Sequence, residues 1–258
     1  MTQLVFITGA SSGIGQALAL RFYQAGFNLA LVARRSEVMQ DWATAQGIDP
    51  ARLRLYIADV ADVASIVAAG QQCMLSQGLP DVVIANAGIS VGMDTAVRSD
   101  LDVMAQTFAT NNTGLAATFH PFIDALCARG SGTLVGIGSV AGIRGLPGHG
   151  AYCASKAAVI AYCESLRGEL RSSGVSVVTI CPGYIDTPLT RQNRYSMPFL
   201  MPVDAFARQA FKAILAGSSY CVIPWQMGGV AKLLRLLPNW LFDKALSGRP
   251  RKRRADGA

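Results

Sequence analysis

No run of about 18 uninterrupted apolar residues occurs in this chain, so a membrane-spanning helix is not expected. C-x-x-C spacing is missing as well. Cys73, Cys127, Cys153, Cys163, Cys181 and Cys221 are scattered, several of them inside apolar periodic stretches where cysteine behaves as a small hydrophobe. All six read as reduced and structural, in a reducing compartment, and no metal site is expected. There is no export signal either: the chain opens MTQLVFITGASSG, a strand almost at once with no basic or cleavable apolar segment ahead of it. A cytoplasmic location is therefore expected. Charge is scarce, at 15% of residues against 51% hydrophobic, and this excludes the disordered class.

What is present fills a large core. At 258 residues the chain can form one large α/β domain or two small ones. The net charge of +7 is concentrated at one end: Arg249, Arg251, Lys252, Arg253 and Arg254 against Asp256 give +4 over 249–258, which leaves +3 for the body. A mildly basic body suits a polyanionic ligand, and no nucleic-acid groove is expected.

The apolar run QLVFIT at 3–8 is followed by Gly9, Gly13 and Gly15, and then by a helical pattern from about Gly15 to Gln24 with Leu18, Ala19, Phe22 and Ala25 on its buried stripe. Strand, glycine turn, helix is the context of a phosphate site, because glycines let backbone N–H groups and a helix N-terminus approach an anion. The spacing G-x-x-x-G-x-G is one residue longer in its first gap than G-x-G-x-x-G, and alone it also fits a plain tight turn. The second strand, FNLALVA, ends at Arg34 and Arg35 with no acid. In a dinucleotide fold an acid there binds the ribose 2′-OH and an arginine accommodates a 2′-phosphate, so NADP is favoured over NAD.

Further strands, RLRLYIA, DVVIAN, GTLVGIG, VSVVTI and SYCVIP, alternate with helices near 36–45, 62–76, 100–111, 114–127 and 152–166. The reading is a doubly wound parallel sheet of about seven strands. Ligands in such sheets bind beyond the strand C-termini, where the glycine loop, Arg34, Asp59, Asn86, Ser139 and Pro182-Gly183 converge. Asp59 is expected either to accept from an adenine amine or to cap the next helix. Asn111 and Asn112 break a helix, and an asparagine there can hold a water with a freed carbonyl; local pattern does not choose between them.

Residues 139–156 read SVAGIRGLPGHGAYCASK. Tyr152 and Lys156 at i, i+4 share a helix face, roughly 5–6 Å apart at Cβ. A phenol titrates near ~10, and a cation about 4 Å away is worth up to roughly 4 kcal/mol at an effective dielectric of ~20. Y-x-x-x-K alone is also a common structural pairing. With Ser139 beside it, the pair can exchange a proton near neutral pH.

Taken together, TGASSGIG at 8–15, DV at 59–60, NAG at 86–88, Asn111 three before Gly114, Ser139, YCASK at 152–156 and PGYIDTP at 182–188 resemble the classical short-chain dehydrogenase/reductase family over roughly residues 3–225. The resemblance implies a single-domain Rossmann-type fold of three α/β/α layers over 1–227, followed by an extension over 228–258. It implies Tyr152 as general acid/base, Lys156 binding the nicotinamide ribose and lowering the Tyr152 pKa, Ser139 polarising the substrate carbonyl, and Asn111, not Asn112, in a proton relay. Cofactor contacts are implied at Gly9, Ser11, Ser12, Gly13, Ile14, Gly15, Arg34, Arg35, Asp59, Val60, Asn86, Ala87, Gly88, Pro182, Gly183, Ile185 and Thr187, in addition to Tyr152 and Lys156. A homodimer or homotetramer is implied, acting on a small carbonyl or alcohol.

After Thr187, Met197, Phe199, Leu200 and Met201 suggest an apolar substrate wall within a mobile lid. Beyond residue 227 the chain departs from the family pattern. Val230, Leu233, Leu234, Leu237 and Leu241 recur at helical spacing among Lys232, Arg235 and Lys244, with Pro238 interrupting and RPRKRR following. Two readings stand: a basic amphipathic stretch on an anionic membrane surface, or a helix over the active-site rim or a subunit interface with a solvated tail. The expected activity is NADP(H)-dependent hydride exchange with an apolar ketone, aldehyde or secondary alcohol; the rival is a catalytically silent NADPH-binding regulator whose basic tail meets a partner.

Overall fold

The computed structural model describes residues 2–193, 196–248, 252 and 254. Arg194 and Tyr195 of the segment after Thr187, and Arg249, Arg251, Arg253 and Asp256 of the basic tail, lie outside the described residues. The strands are β1 Leu4–Thr8, β2 Asn28–Ala33, β3 Leu53–Ile57, β4 Val82–Ala85, β5 Gly132–Ile137, β6 Val175–Pro182, β7 Ile185–Asp186, β8 Met201–Pro202 and β9 Tyr220–Ile223. The helices are α1 Gly13–Gln24, α2 Ser36–Ala45, α3 Val63–Gln77, α4 Asp100–Phe108, α5 Gly114–Arg129, α6 Gly150–Glu169, α7 Val203–Leu215, α8 Trp225–Leu236 and α9 Asn239–Leu246. Seven strands form one parallel sheet in the order β3-β2-β1-β4-β5-β6-β9.

Period two in the strands sorts the core into two layers. Val5 and Ile7 of β1 and Leu29 and Leu31 of β2 join Leu18 and Phe22 of α1, Met39 of α2 and Phe206 and Phe211 of α7. Phe6, Ala30 and Val32 face the other way, toward Ile66 of α3, Phe119 and Phe122 of α5 and Val159 and Cys163 of α6. Burial on both sides explains why β1, β2 and β4 read as continuous apolar runs. β3, at the sheet edge, instead leaves Ile57 67% exposed. All chain crossings run between parallel neighbours, so every strand of this sheet ends at the same edge.

Three expectations change. Helix α1 starts at Gly13 rather than Gly15, and Ala25 is exposed, because the helix is finished there and Gly26 turns the chain with φ +97°. The helix expected over 100–111 stops at Phe108, and a π turn over Ala109–Thr113 holds both asparagines before α5 begins. The apolar stripe of the extension is divided. Met227, Gly228, Ala231 and Phe242 are the buried residues of α8 and α9, Val230, Leu234 and Leu237 are half-buried, and Leu233 and Leu241 face outward. Arg144 holds this corner in place, donating to Leu234 O, to Leu237 O at 2.8 Å and to Asn239 Oδ1 at 3.1 Å, with its guanidinium 3.8 Å from the Phe242 ring centre. No helix among the described residues is long and apolar enough to cross a membrane.

Candidate active site

Along the C-terminal edge of the sheet runs a cleft of about 750 Å³. Its floor is built by small residues. At Gly9, with φ +66°, a Cβ would lie 2.7 Å from Ala87 Cα, and at Gly15 a Cβ would lie 2.3 Å from Gly9 O. The α1 N-terminus meets the cleft with Ser12 at the N-cap position and no side-chain capping bond. Its first N–H groups are thus available to an anion. Asn86 fixes the cradle from β4, donating from Nδ2 to Thr8 O at 2.9 Å and Gly9 O at 3.2 Å, while Thr8 Oγ1 accepts from the N–H groups of Asn86 and Ala87 at 3.2 Å each.

Arg34 and Arg35 lie in the cleft lining where β2 ends. Arg34 is 3.7 Å from Asp59, with both side chains well exposed, a pair worth little by itself. Asp59 accepts from Ala61 N at 3.0 Å, and the cap of α3 is Asp62, which accepts from Ser65 N at 3.2 Å; the expected capping role of Asp59 passes three residues on.

Ser139 from the end of β5 and Tyr152 and Lys156 from α6 line the same cleft. Lys156 is 5% exposed and donates from Nζ to Ile137 O at 2.8 Å. Burial pushes its pKa down to about 8. Burial pushes the Tyr152 phenol up, opposed by hydrogen bonding with Ser139. The Lys156 ammonium is held by Ile137 O and lies 5.9 Å from the Tyr152 ring centre.

Every expected site residue lines the cleft except Gly15 and Asn111. Gly15 packs beneath the floor. Asn111, 1% exposed, is spent on structure: Oδ1 accepts from Ile89 N at 2.8 Å, and Nδ2 donates to Ile89 O at 3.0 Å and to Ser155 Oγ at 2.9 Å. It clamps the loop after β4 against α6. Asn112 donates to Ser155 O at 2.9 Å and leaves Oδ1 buried without a partner.

Met197, Phe199, Leu200 and Met201 lie outside the cleft lining: β8 pairs with β7 and packs Met201 against the core, while Phe199 and Leu200 are 52% and 46% exposed. The cleft is also lined by residues that sequence reasoning did not name as contacts, among them Ile89, Gln106 and Thr110, and by Leu189 and Gln192 of the segment after Thr187. The i, i+4 spacing of Gln106 and Thr110 was the available signal; their side chains are 3.4 Å apart. Thr190 was missed too: its hydroxyl accepts from Thr187 N at 3.0 Å and donates to Ile185 O, closing the turn that places Thr187.

The described part of the basic tail is not solvated. Arg254 bridges to Gly92 as a short parallel pairing and donates from Nε to Asp100 Oδ2 at 2.7 Å and from an Nη to Oδ1 at 3.2 Å, with Asp100 only 3% exposed. Lys252 donates from Nζ to Ser90 Oγ at 2.7 Å and lies 5.9 Å from the Tyr152 ring centre.

A doubly wound parallel sheet with a glycine cradle at its switch and a Ser, Tyr and Lys set facing it defines the nucleotide-binding oxidoreductase class. The family model of the short chain dehydrogenase matches residues 3–197, and the chain belongs to that family. An "Uncharacterized oxidoreductase" of Myxococcus xanthus is 38% identical over 244 residues, covering 93% of this chain and 94% of that protein. A "Dehydrogenase/reductase SDR family protein 7-like" of Anopheles gambiae is 37% identical over 196 residues, covering 73% and 61%. Among solved structures, ElxO with NADP bound is similar at a TM-score of 0.79 and 21% identity over 86% of this chain and 97% of that one, and actinorhodin polyketide ketoreductase with NADPH at 0.79 and 24% over 86% and 95%.

Proposed function

We propose that the protein is an NADP(H)-dependent carbonyl reductase in which Tyr152 donates the proton. The observation that carries this reading is the convergence of Ser139, Tyr152 and Lys156 on the cleft whose far end is the glycine cradle. The cradle suits a dinucleotide. A pyrophosphate fits where Cβ atoms at Gly9 and Gly15 would clash and where the α1 N-terminus is uncapped. Arg34 and Arg35 suit a 2′-phosphate, with Ala33 where an acid would select a free 2′-OH. Relatives in fold with NADP or NADPH bound support the same choice.

A bound dihydronicotinamide supplies a hydride to the carbonyl carbon. The chain's own residues supply the rest. Ser139 hydrogen-bonds the carbonyl oxygen and holds it toward Tyr152, which gives that oxygen its phenolic proton. A phenol raised by burial keeps its proton through the neutral range and so can donate it there. Lys156 places a positive charge beside the reacting groups, on a side chain held by Ile137 O. Asn111 acts as a positioning residue, fixing Ile89 at the cleft wall.

Tyr152→Phe removes the proton and little volume. NADPH oxidation over a panel of ketones and aldehydes should fall by about 10²–10⁴-fold, while NADPH binding, read by fluorescence, stays within about threefold of wild type. Wild-type turnover in this variant would refute the assignment.

A further inference from the structure

We propose that Lys252, carried back over the active site by the C-terminal tail, is the binding residue for an anionic group on the substrate, so that the preferred substrates are carbonyl compounds bearing a carboxylate or similar oxyanion near the reacting carbon. The inference rests on the carbonyl-reducing reading above. Its first support is the anchor. Arg254 forms a two-bond ion pair with Asp100, whose side chain is 4% exposed and which also accepts from Asp94 N at 2.7 Å. Paired and hydrogen-bonded in this way, the carboxylate is costly to leave unpaired, so the pair holds Arg254 in one place. The parallel bridge between Gly92 and Arg254 adds a backbone connection to the loop after β4.

The second support is what the anchor presents. Two residues before Arg254, Lys252 turns its ammonium inward to within 5.9 Å of the Tyr152 ring centre, with His149 also in its field. Its hydrogen-bonding partner is the neutral Ser90 hydroxyl at 2.7 Å, and among the described residues no carboxylate pairs with it. Burial lowers its pKa to about 8, with no neighbouring charge opposing. An ammonium taken out of water with two donors unspent gains most from an oxyanion. Lys252 and Ser90 stand outside the lining of the cleft itself, so the ammonium is offered to the part of a substrate that reaches past Tyr152 toward the loop after β4.

The test uses the full-length protein and two probes alike except in charge, 4-carboxybenzaldehyde and methyl 4-formylbenzoate, with NADPH. Wild type should favour the carboxylate, and Lys252→Gln should raise its KM by roughly tenfold or more while leaving the ester within about twofold. Arg254→Gln, which releases the anchor and leaves Lys252 intact, should move the carboxylate KM in the same direction. A Lys252→Gln variant that treats both probes as wild type does overturns the inference, as does one that loses both equally. Binding of terephthalate, which cannot be reduced, separates the two readings. If neither aldehyde is reduced but calorimetry shows terephthalate binding that Lys252→Gln abolishes, the anion site stands and the carbonyl-reducing reading fails. If the aldehydes are reduced and terephthalate binds both proteins alike, the anion site fails and the reductase reading stands.

Discussion

Two buried groups with opposite pKa displacements make the pH dependence of this site specific. Lys156, ordinarily charged to about pH 10, loses its proton near 8, whereas Tyr152 keeps its own well above neutrality. A lysine whose folded pKa is lowered is cationic below that value and neutral above it. The kcat/KM for reduction should therefore be level below pH 8 and fall by about tenfold per unit above it. Lys156→Arg, whose guanidinium stays charged throughout, should abolish the fall while lowering the plateau. A wild-type profile level to pH 9.5 would remove Lys156 from the chemistry. At the other end of the cleft, Arg34→Ala should reduce the preference for NADPH over NADH by about tenfold or more, since a charge-assisted bond to phosphate is lost; titration with each nucleotide reads it, and an unchanged ratio excludes the role. Both residues were legible as types in the sequence. Their environments were not: that Lys156 is bonded to Ile137 O depends on where β5 ends relative to α6.

At the level of elements, strand and helix order was legible because both faces of the sheet are buried and the runs are unbroken. What pattern could not supply was the π turn over Ala109–Thr113, since the phase shift of one inserted residue is hard to read where the turn itself, ATNNT, carries no large apolar side chain. That turn sets the two asparagines apart. Asn111 makes three buried or part-buried bonds to Ile89 and Ser155, while Asn112 has one bond and an orphaned carbonyl. Asn111→Ala should cost on the order of 2–3 kcal/mol, and Asn112→Ala less than about 1 kcal/mol, because the latter also removes a buried unsatisfied group. Urea denaturation midpoints measure both; equal losses would contradict the clamp.

At the scale of the whole molecule, one edge of one sheet gathers residues from Gly9 to Thr187, and the topology alone makes that gathering unavoidable. The parts furthest from this logic were the least legible. The segment after Thr187 pairs β7 with β8 and also lends Leu189 and Gln192 to the cleft, and the tail spends Arg254 on a buried aspartate 154 positions away. Neither long-range pairing has a periodic signature. The central claim, that this cleft delivers hydride from NADPH to a carbonyl with Tyr152 as the acid, is tested most directly by NADPH deuterated at one face of nicotinamide C4. With a turned-over aldehyde, mass spectrometry of the product should show deuterium from one labelled face only, and Tyr152→Phe should give product at less than about a hundredth of the wild-type rate. Binding of NADPH with no deuterium transferred from either face, across carboxylate and neutral carbonyls alike, would contradict the account and leave a nucleotide-binding protein without turnover.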